Sequence, residues 1–193
     1  AGRYRSEALL LPSTSELRAY WRREMLRIQV RSVCQCSPIF ETLKETSRLA
    51  DAMIAAAYRL AVEHVAQSAQ DGEKRPSDAL MVIALGRLGM LEFDLSSDAD
   101  LVFLIPDEES QHLHFWTKVA ERLIQILTAY SGDGVMFAID TRLRPNGGDG
   151  PLVQTAASYL DYFNSTTQAW EGITYLNSRA IACNLTAASK LLS

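Results

Sequence analysis

Only three of the 193 residues are cysteine. Cys34, Cys36 and Cys183 leave one thiol over in any pairing scheme and match no four-ligand zinc spacing, which excludes a disulfide framework and a structural zinc site as organising features. A reducing, cytoplasmic compartment is the expectation. No apolar run approaches the ~20 residues needed to cross a bilayer, and the N-terminus has no apolar stretch behind a basic start, so a soluble chain with no membrane partner is expected. An excess of positive charge is also missing: 19 Lys and Arg stand against 23 Asp and Glu, for a net charge of -4. That balance argues against nucleic acid as a partner, because affinity for a phosphate backbone rests on clustered cations. No internal repeat or low-complexity segment occurs. The chain begins without Met and ends just after the apolar stretch Leu185 to Leu192, and a piece of a larger protein is the expectation.

What is present is an ordinary globular composition, 48% hydrophobic and 22% charged, enough for one domain with at most an appendage. From Ser15 to Val33, Leu17, Trp21, Met25 and Ile28 recur at helical spacing, while Arg23, Arg27 and Arg31 line another face. That arginine stripe is either a solvated face or a docking surface. Ser37 and Pro38 form an N-cap and first-turn pair for a second helical stretch, and the alanine-rich run from Ser47 to Ala69 predicts a long helix. The polar segment Asp71 to Ser77 marks a connection. Residues 1–70 therefore read as a helical N-terminal arm and 71–193 as the core with C-terminal helices, the two forming one compact unit.

Beyond residue 78 the pattern changes. Ala79 to Leu85, Asp100 to Ile105 and Val135 to Ile139 are short continuous apolar runs that suit strands buried on both faces. Between the last two, Gln111 to Tyr130 has helical periodicity. Further helices are predicted over Thr155 to Asn164 and Gln168 to Ala180, after the turn-rich Pro145 to Pro151 loop. The fold class is α+β, a small sheet with flanking helices. His112 and His114, two apart on a predicted helix, do not face each other and read as surface positions.

The chemistry concentrates where the runs begin and end. Asp98 and Asp100 are two residues apart at the mouth of a strand, where alternate side chains point to one side. Like charges this close need a cation, a raised pKa or a solvated turn. Oxygen ligands of this kind suit Mg²⁺ or Mn²⁺, although a bare Asp-x-Asp after two serines is more often a turn. Asp140, at the end of another apolar run, supplies a third carboxylate. Arg142 and Arg144 follow it, either as clamps for phosphate oxygens or as partners of a nearby carboxylate such as Asp140 or Glu92. Gly86 and Gly89, after the first strand, either let the backbone approach phosphate or simply make a turn.

The run Gly86 to Leu104 (GRLGMLEFDLSSDADLVFL) and the run Asp140 to Gly150 (DTRLRPNGGDG) resemble the two signature blocks of glutamate-ammonia-ligase (glutamine synthetase) adenylyltransferases, in the family's order. Weaker likenesses lie at Arg22 to Arg27 and at Trp170 and Glu171 with Arg179. The resemblance implies a polymerase-β-like nucleotidyltransferase fold with a small mixed sheet. It implies Mg (or Mn) held by Asp98, Asp100 and Asp140, and ATP bound by Gly86, Arg87, Gly89, Ser97, Arg142 and Arg144. Arg87 replaces the usual Lys of the family's Gly-Lys-x-Gly turn, Met90 stands where a small residue is usual, and Asn177 replaces a basic residue two before Arg179. The implied reaction is transfer of AMP to a tyrosine of glutamine synthetase, with a PII-type nitrogen-regulatory protein as a further partner. Two alternatives stay open: phosphorolytic removal of that AMP, and a non-catalytic nucleotide-binding regulatory module.

Overall fold

The computed structural model describes residues 2–68, 79–132, 134–165 and 169–182. The Asp71 to Ser77 connection, Cys183 and the Leu185 to Leu192 stretch lie outside them, as does the side chain of Glu171. Helices α1 (Gly2–Ala8), α2 (Thr14–Cys34) and α3 (Ile39–Ser68) form the arm. The Ser13 hydroxyl caps α2 by accepting from the Glu16 N–H at 3.3 Å. The two helical stretches expected after Ser37 are one helix of 30 residues, which begins one position later than the Ser37–Pro38 pair suggested: the Pro38 carbonyl accepts from the N–H groups of Glu41 and Thr42.

The sheet is mixed. Strand β1 (Met81–Ala84) pairs antiparallel with β2 (Ala99–Ile105) and with β5 (Arg179–Ala182), while the short β3 (Ile139–Asp140) and β4 (Val153–Thr155) pair parallel with opposite ends of β2. Between β1 and β2 the chain makes one helical turn, α4 (Gly86–Gly89); α5 (Leu113–Thr128), α6 (Ala156–Ser165) and α7 (Ala169–Tyr175) complete the order. Side chains of β1 and β2 alternate between two cores, as a sheet covered on both faces requires. Val82, Ala84, Leu101, Phe103 and Ile105 join the large cluster with the arm helices and α5, and Met81, Ile83, Val102 and Leu104 join a smaller one with Tyr159. The large cluster runs from Tyr4 to Ile181, so arm and sheet share one core.

Two sequence expectations are corrected. The apolar run Val135 to Ile139 is not a strand except at its last residue. Met136 and Phe137 are buried instead as a plug, with the Phe137 ring 5.0 Å from Trp21 and 5.5 Å from Phe93. The helix expected over Gln168 to Ala180 stops at Tyr175, and Arg179 begins a strand. The arginine stripe of α2 is partnered within the arm: Arg23 and Arg27, with Arg3, surround the buried Glu24 carboxylate, and Arg31 reaches Glu45 at 2.6 Å. A buried carboxylate persists only with such partners. His112 lies in the 3-10 turn before α5, 2.8 Å from Glu109, and Cys34 and Cys36 are exposed. No helix among the described residues is long and apolar enough to cross a membrane.

Candidate active site

Parallel pairing of β2 with β3 sets Asp100 directly beside Asp140, with Ala99 beside Ile139. Asp98 lies two residues upstream of Asp100, exposed in the turn that feeds β2. The three acids the sequence singled out therefore gather at one end of one strand pair. Their proximity is felt electrostatically: burial raises the Asp100 pKa, repulsion from Asp140 and Asp98 raises it further, and Arg142 opposes both.

Asp140 has the opposite environment. Arg142 grips it through Nε, 3.0 and 2.9 Å from the two oxygens, and through Nη2 at 2.5 Å, while the Arg142 backbone N–H donates at 2.8 Å. These bonds, chiefly the side-chain ones, hold the Asp140 carboxyl below its ordinary range. Among the described residues no three carboxylate, imidazole or thiolate groups close into a ready-made metal cage. The donor set is nevertheless all hard oxygen, and Asp100 is half-buried beside two like charges. Such a set suits a small divalent cation that takes one or two protein carboxylates and completes its shell with phosphate and water.

The glycines serve the site sterically. Gly86 has φ +53°, and a Cβ there would lie 2.3 Å from the Asp100 Oδ2. A Cβ on Gly89 would lie 2.4 Å from the Asn177 carbonyl oxygen and 3.0 Å from that of Ala84. Close approach is thus required by Asp100 at one glycine and by the chain leading into β5 at the other.

The remaining expected nucleotide residues are tied to neighbours. Arg87 reaches Asp94 at 2.8 Å, and Ser97 donates to the same carboxylate at 3.0 Å, as do the backbone and side chain of Ser96. Arg144 holds its own loop, donating to the carbonyls of Thr141, Gly148 and Gly150. In this structure Arg142 pairs with the Asp140 carboxylate, and Arg144 with backbone carbonyls of its own loop rather than with a carboxylate. Sequence reasoning missed Asp94, whose position two and three residues before Ser96 and Ser97 is an Asx-turn signal, and it missed Ser47 and Asp51, polar side chains one turn apart on an alanine-rich helix.

Asp94 makes a pH prediction. Burial pushes its carboxyl up, but the Ser96 and Ser97 hydrogen bonds and the Arg87 charge outweigh burial and hold it at about 2 against an ordinary 3.8. A lowered folded-state pKa stabilises the fold above the unfolded value and loses that contribution as pH falls through the folded one. The raised values of Asp100 and Asp51 act with the opposite sign. Thermal unfolding of Asp94→Asn followed from about pH 5 down to about pH 2, a range that takes in both values, should show a shallower fall in stability than the parent protein; parallel curves contradict the assignment.

A family model described as glutamate-ammonia ligase adenylyltransferase matches residues 11–192. The bifunctional glutamine synthetase adenylyltransferase/adenylyl-removing enzyme of Alteromonas mediterranea is 34% identical over 174 residues, which cover 86% of this chain and 18% of the relative. Proteins of the same name from Pseudomonas aeruginosa and Nitrosococcus oceani are 33% and 31% identical, covering 91% and 92% of this chain and 19% of each relative. The chain spans about a fifth of the length of these curated relatives. Matched over nearly all its residues, with the two signature blocks meeting at one strand pair, the chain belongs to the glutamate-ammonia ligase adenylyltransferase family of nucleotidyltransferases.

Proposed function

We propose that this chain is a polymerase-β-like nucleotidyltransferase unit that transfers AMP from ATP to a tyrosine hydroxyl of glutamine synthetase in a metal-dependent reaction. The observation that carries the reading is the in-register pair Asp100 and Asp140, with Asp98 upstream and the Gly86 turn packed against Asp100. Asp98 and Asp100 would hold Mg²⁺ or Mn²⁺ together with Asp140. When bound, such an ion neutralises charge on the triphosphate and on the developing oxyanion.

The chain's own residues do the rest by position and charge. Arg142, whose side chain is 79% exposed, swings from Asp140 to a phosphate oxygen and leaves the Asp140 carboxylate free. The tyrosine hydroxyl then gives its proton to Asp140 as its oxygen bonds to the α-phosphorus, and the bond from that phosphorus to the bridging oxygen breaks, releasing pyrophosphate. Arg144 keeps the 141–150 loop in place throughout.

Glutamine synthetase incubated with this chain and Mg-ATP should gain AMP, read as a mass increase on a tyrosine-containing peptide. A second incubation uses adenylylated glutamine synthetase and inorganic phosphate. Release of AMP only in the second mixture assigns the removing activity instead, and no movement of AMP in either supports a non-catalytic nucleotide-binding module.

A further inference from the structure

Helix α3 presents two polar side chains, Ser47 and Asp51, on the face that packs toward the glycine turn. Four residues apart, they lie one above the other. Ser47 is fully buried; its hydroxyl donates to the Leu43 carbonyl at 2.8 Å and accepts the Phe93 N–H at 3.0 Å. Asp51 takes the Arg179 guanidinium in a two-pronged pair, 2.6 and 3.0 Å. Arg179 in turn donates to the carbonyls of Leu88, at 2.9 Å, and Gly89, at 3.4 Å.

These carbonyls belong to α4, a single turn too short to be stable by itself. Its Leu85 flank is fixed to β2 by a bond from the Leu85 N–H to the Asp100 carbonyl, 2.9 Å. On the opposite side the turn has the Arg179 guanidinium, and beyond it the segment is pinned again at Phe93. Between the two pins Leu91 adopts φ 61°, a left-handed conformation that a leucine keeps only when its surroundings impose it.

We propose that Ser47 and Asp51 on α3, with Arg179 on β5, are positioning residues that clamp the Gly86–Phe93 segment and so hold Gly86 against the Asp100 carboxylate. The helical arm is then part of the catalytic apparatus, acting through hydrogen bonds to backbone rather than by touching nucleotide. This inference rests on the nucleotidyl-transfer reading for its link to ATP, but the clamp itself has a readout that needs no substrate. Arg179 is suited to the task because one planar guanidinium reaches a carboxylate and two carbonyls at once, which a lysine ammonium cannot do in that geometry.

Amide hydrogen exchange of the free protein, followed by mass spectrometry, tests it with Ser47→Ala, Asp51→Asn and Arg179→Lys. Exchange over residues 86–93 should quicken in all three variants, while α5 keeps its protection, which separates loss of the clamp from loss of the fold. Ser47→Ala removes one buried acceptor and keeps the helix, so it serves where the charged-pair variants fold poorly. In AMP transfer, Arg179→Lys should raise the KM for ATP about tenfold or more, the loss expected for hydrogen bonds made by a charged group, with a smaller change in kcat. Unchanged exchange at 86–93 in Ser47→Ala and Arg179→Lys overturns the clamp, as does quickening in equal measure throughout the protein. A parent protein that moves no AMP overturns the nucleotidyl-transfer reading and leaves the exchange result to decide the clamp.

Discussion

Asparagine in place of Asp100 should reduce AMP transfer on the order of 10²–10³-fold, the loss seen when one preorganised electrostatic contact to a transition state is removed. The substitution is nearly isosteric, so the packing against Gly86 is retained. What changes is charge. Asp100 is the acid that burial and two neighbouring carboxylates make reluctant to ionise, and an asparagine there relieves that repulsion. The account therefore expects activity to collapse while thermal stability holds or rises. Loss of both together would mean that Asp100 serves the fold, and full activity would remove it from the chemistry.

Gly86→Ala should be nearly as damaging for a different reason. Alanine at φ +53° carries the left-handed penalty of about 1–2 kcal/mol. Its methyl group would also stand 2.3 Å from the Asp100 Oδ2, so either the turn or the carboxylate has to move. Both outcomes separate the glycine turn from the strand pair. The expected result is a lower unfolding midpoint together with loss of AMP transfer beyond what the unfolded fraction explains. A variant that unfolds more readily but transfers AMP normally at a temperature where it is folded would show that the contact between Gly86 and Asp100 has no part in the reaction.

Much of this site was legible in the sequence because its signals are local. An Asp-x-Asp at the start of an apolar run, and a carboxylate at the end of another, are patterns that need no tertiary knowledge. The register that sets Asp100 beside Asp140 is a long-range pairing, and only the structure supplies it. The fold was legible where helices are long, as α2, α3 and α5 each carry buried residues at helical spacing, and where strands are continuous apolar runs, as in β1 and β2. It was not legible where neither signal exists. Strand β4 has three residues and β5, as short as β1, opens on Arg179 rather than lying in an apolar run, while α1 has seven residues, held by burial of Tyr4 and Ala8.

The Val135 to Ile139 run shows a different failure. A stretch of apolar residues reports burial, not hydrogen-bond pairing, and Met136 and Phe137 are buried as a plug between the arm and the sheet without joining a ladder. Arg179 shows a third. Placed by periodicity on a helix, it belongs to an edge strand, because α7 ends and the chain turns back to pair with β1. That reversal is what carries its guanidinium to Asp51 and to the glycine turn.

The sequence predicts a helical arm that forms one unit with the core, and the first residues of that arm carry the charge of a surface element. Helix α3 meets the sheet at β5, and there Ser47 and Asp51, one turn apart, bond to Phe93 and Arg179. Two polar side chains where small apolar ones would pack are the sequence's mark of a second role. Glu24, buried beneath three arginines, is the corresponding mark on α2, and there the partners are all within the arm.

The central claim is that the paired Asp100 and Asp140, with Asp98 in the turn before them, make a cation-dependent nucleotide site. Calorimetric titration of this protein with ATP, in Mg²⁺ and again in EDTA, tests it most directly, with Asp100→Asn as the control. Saturable binding in Mg²⁺ that is lost in EDTA and lost in the variant is the predicted result; binding of equal affinity in all three would contradict the account.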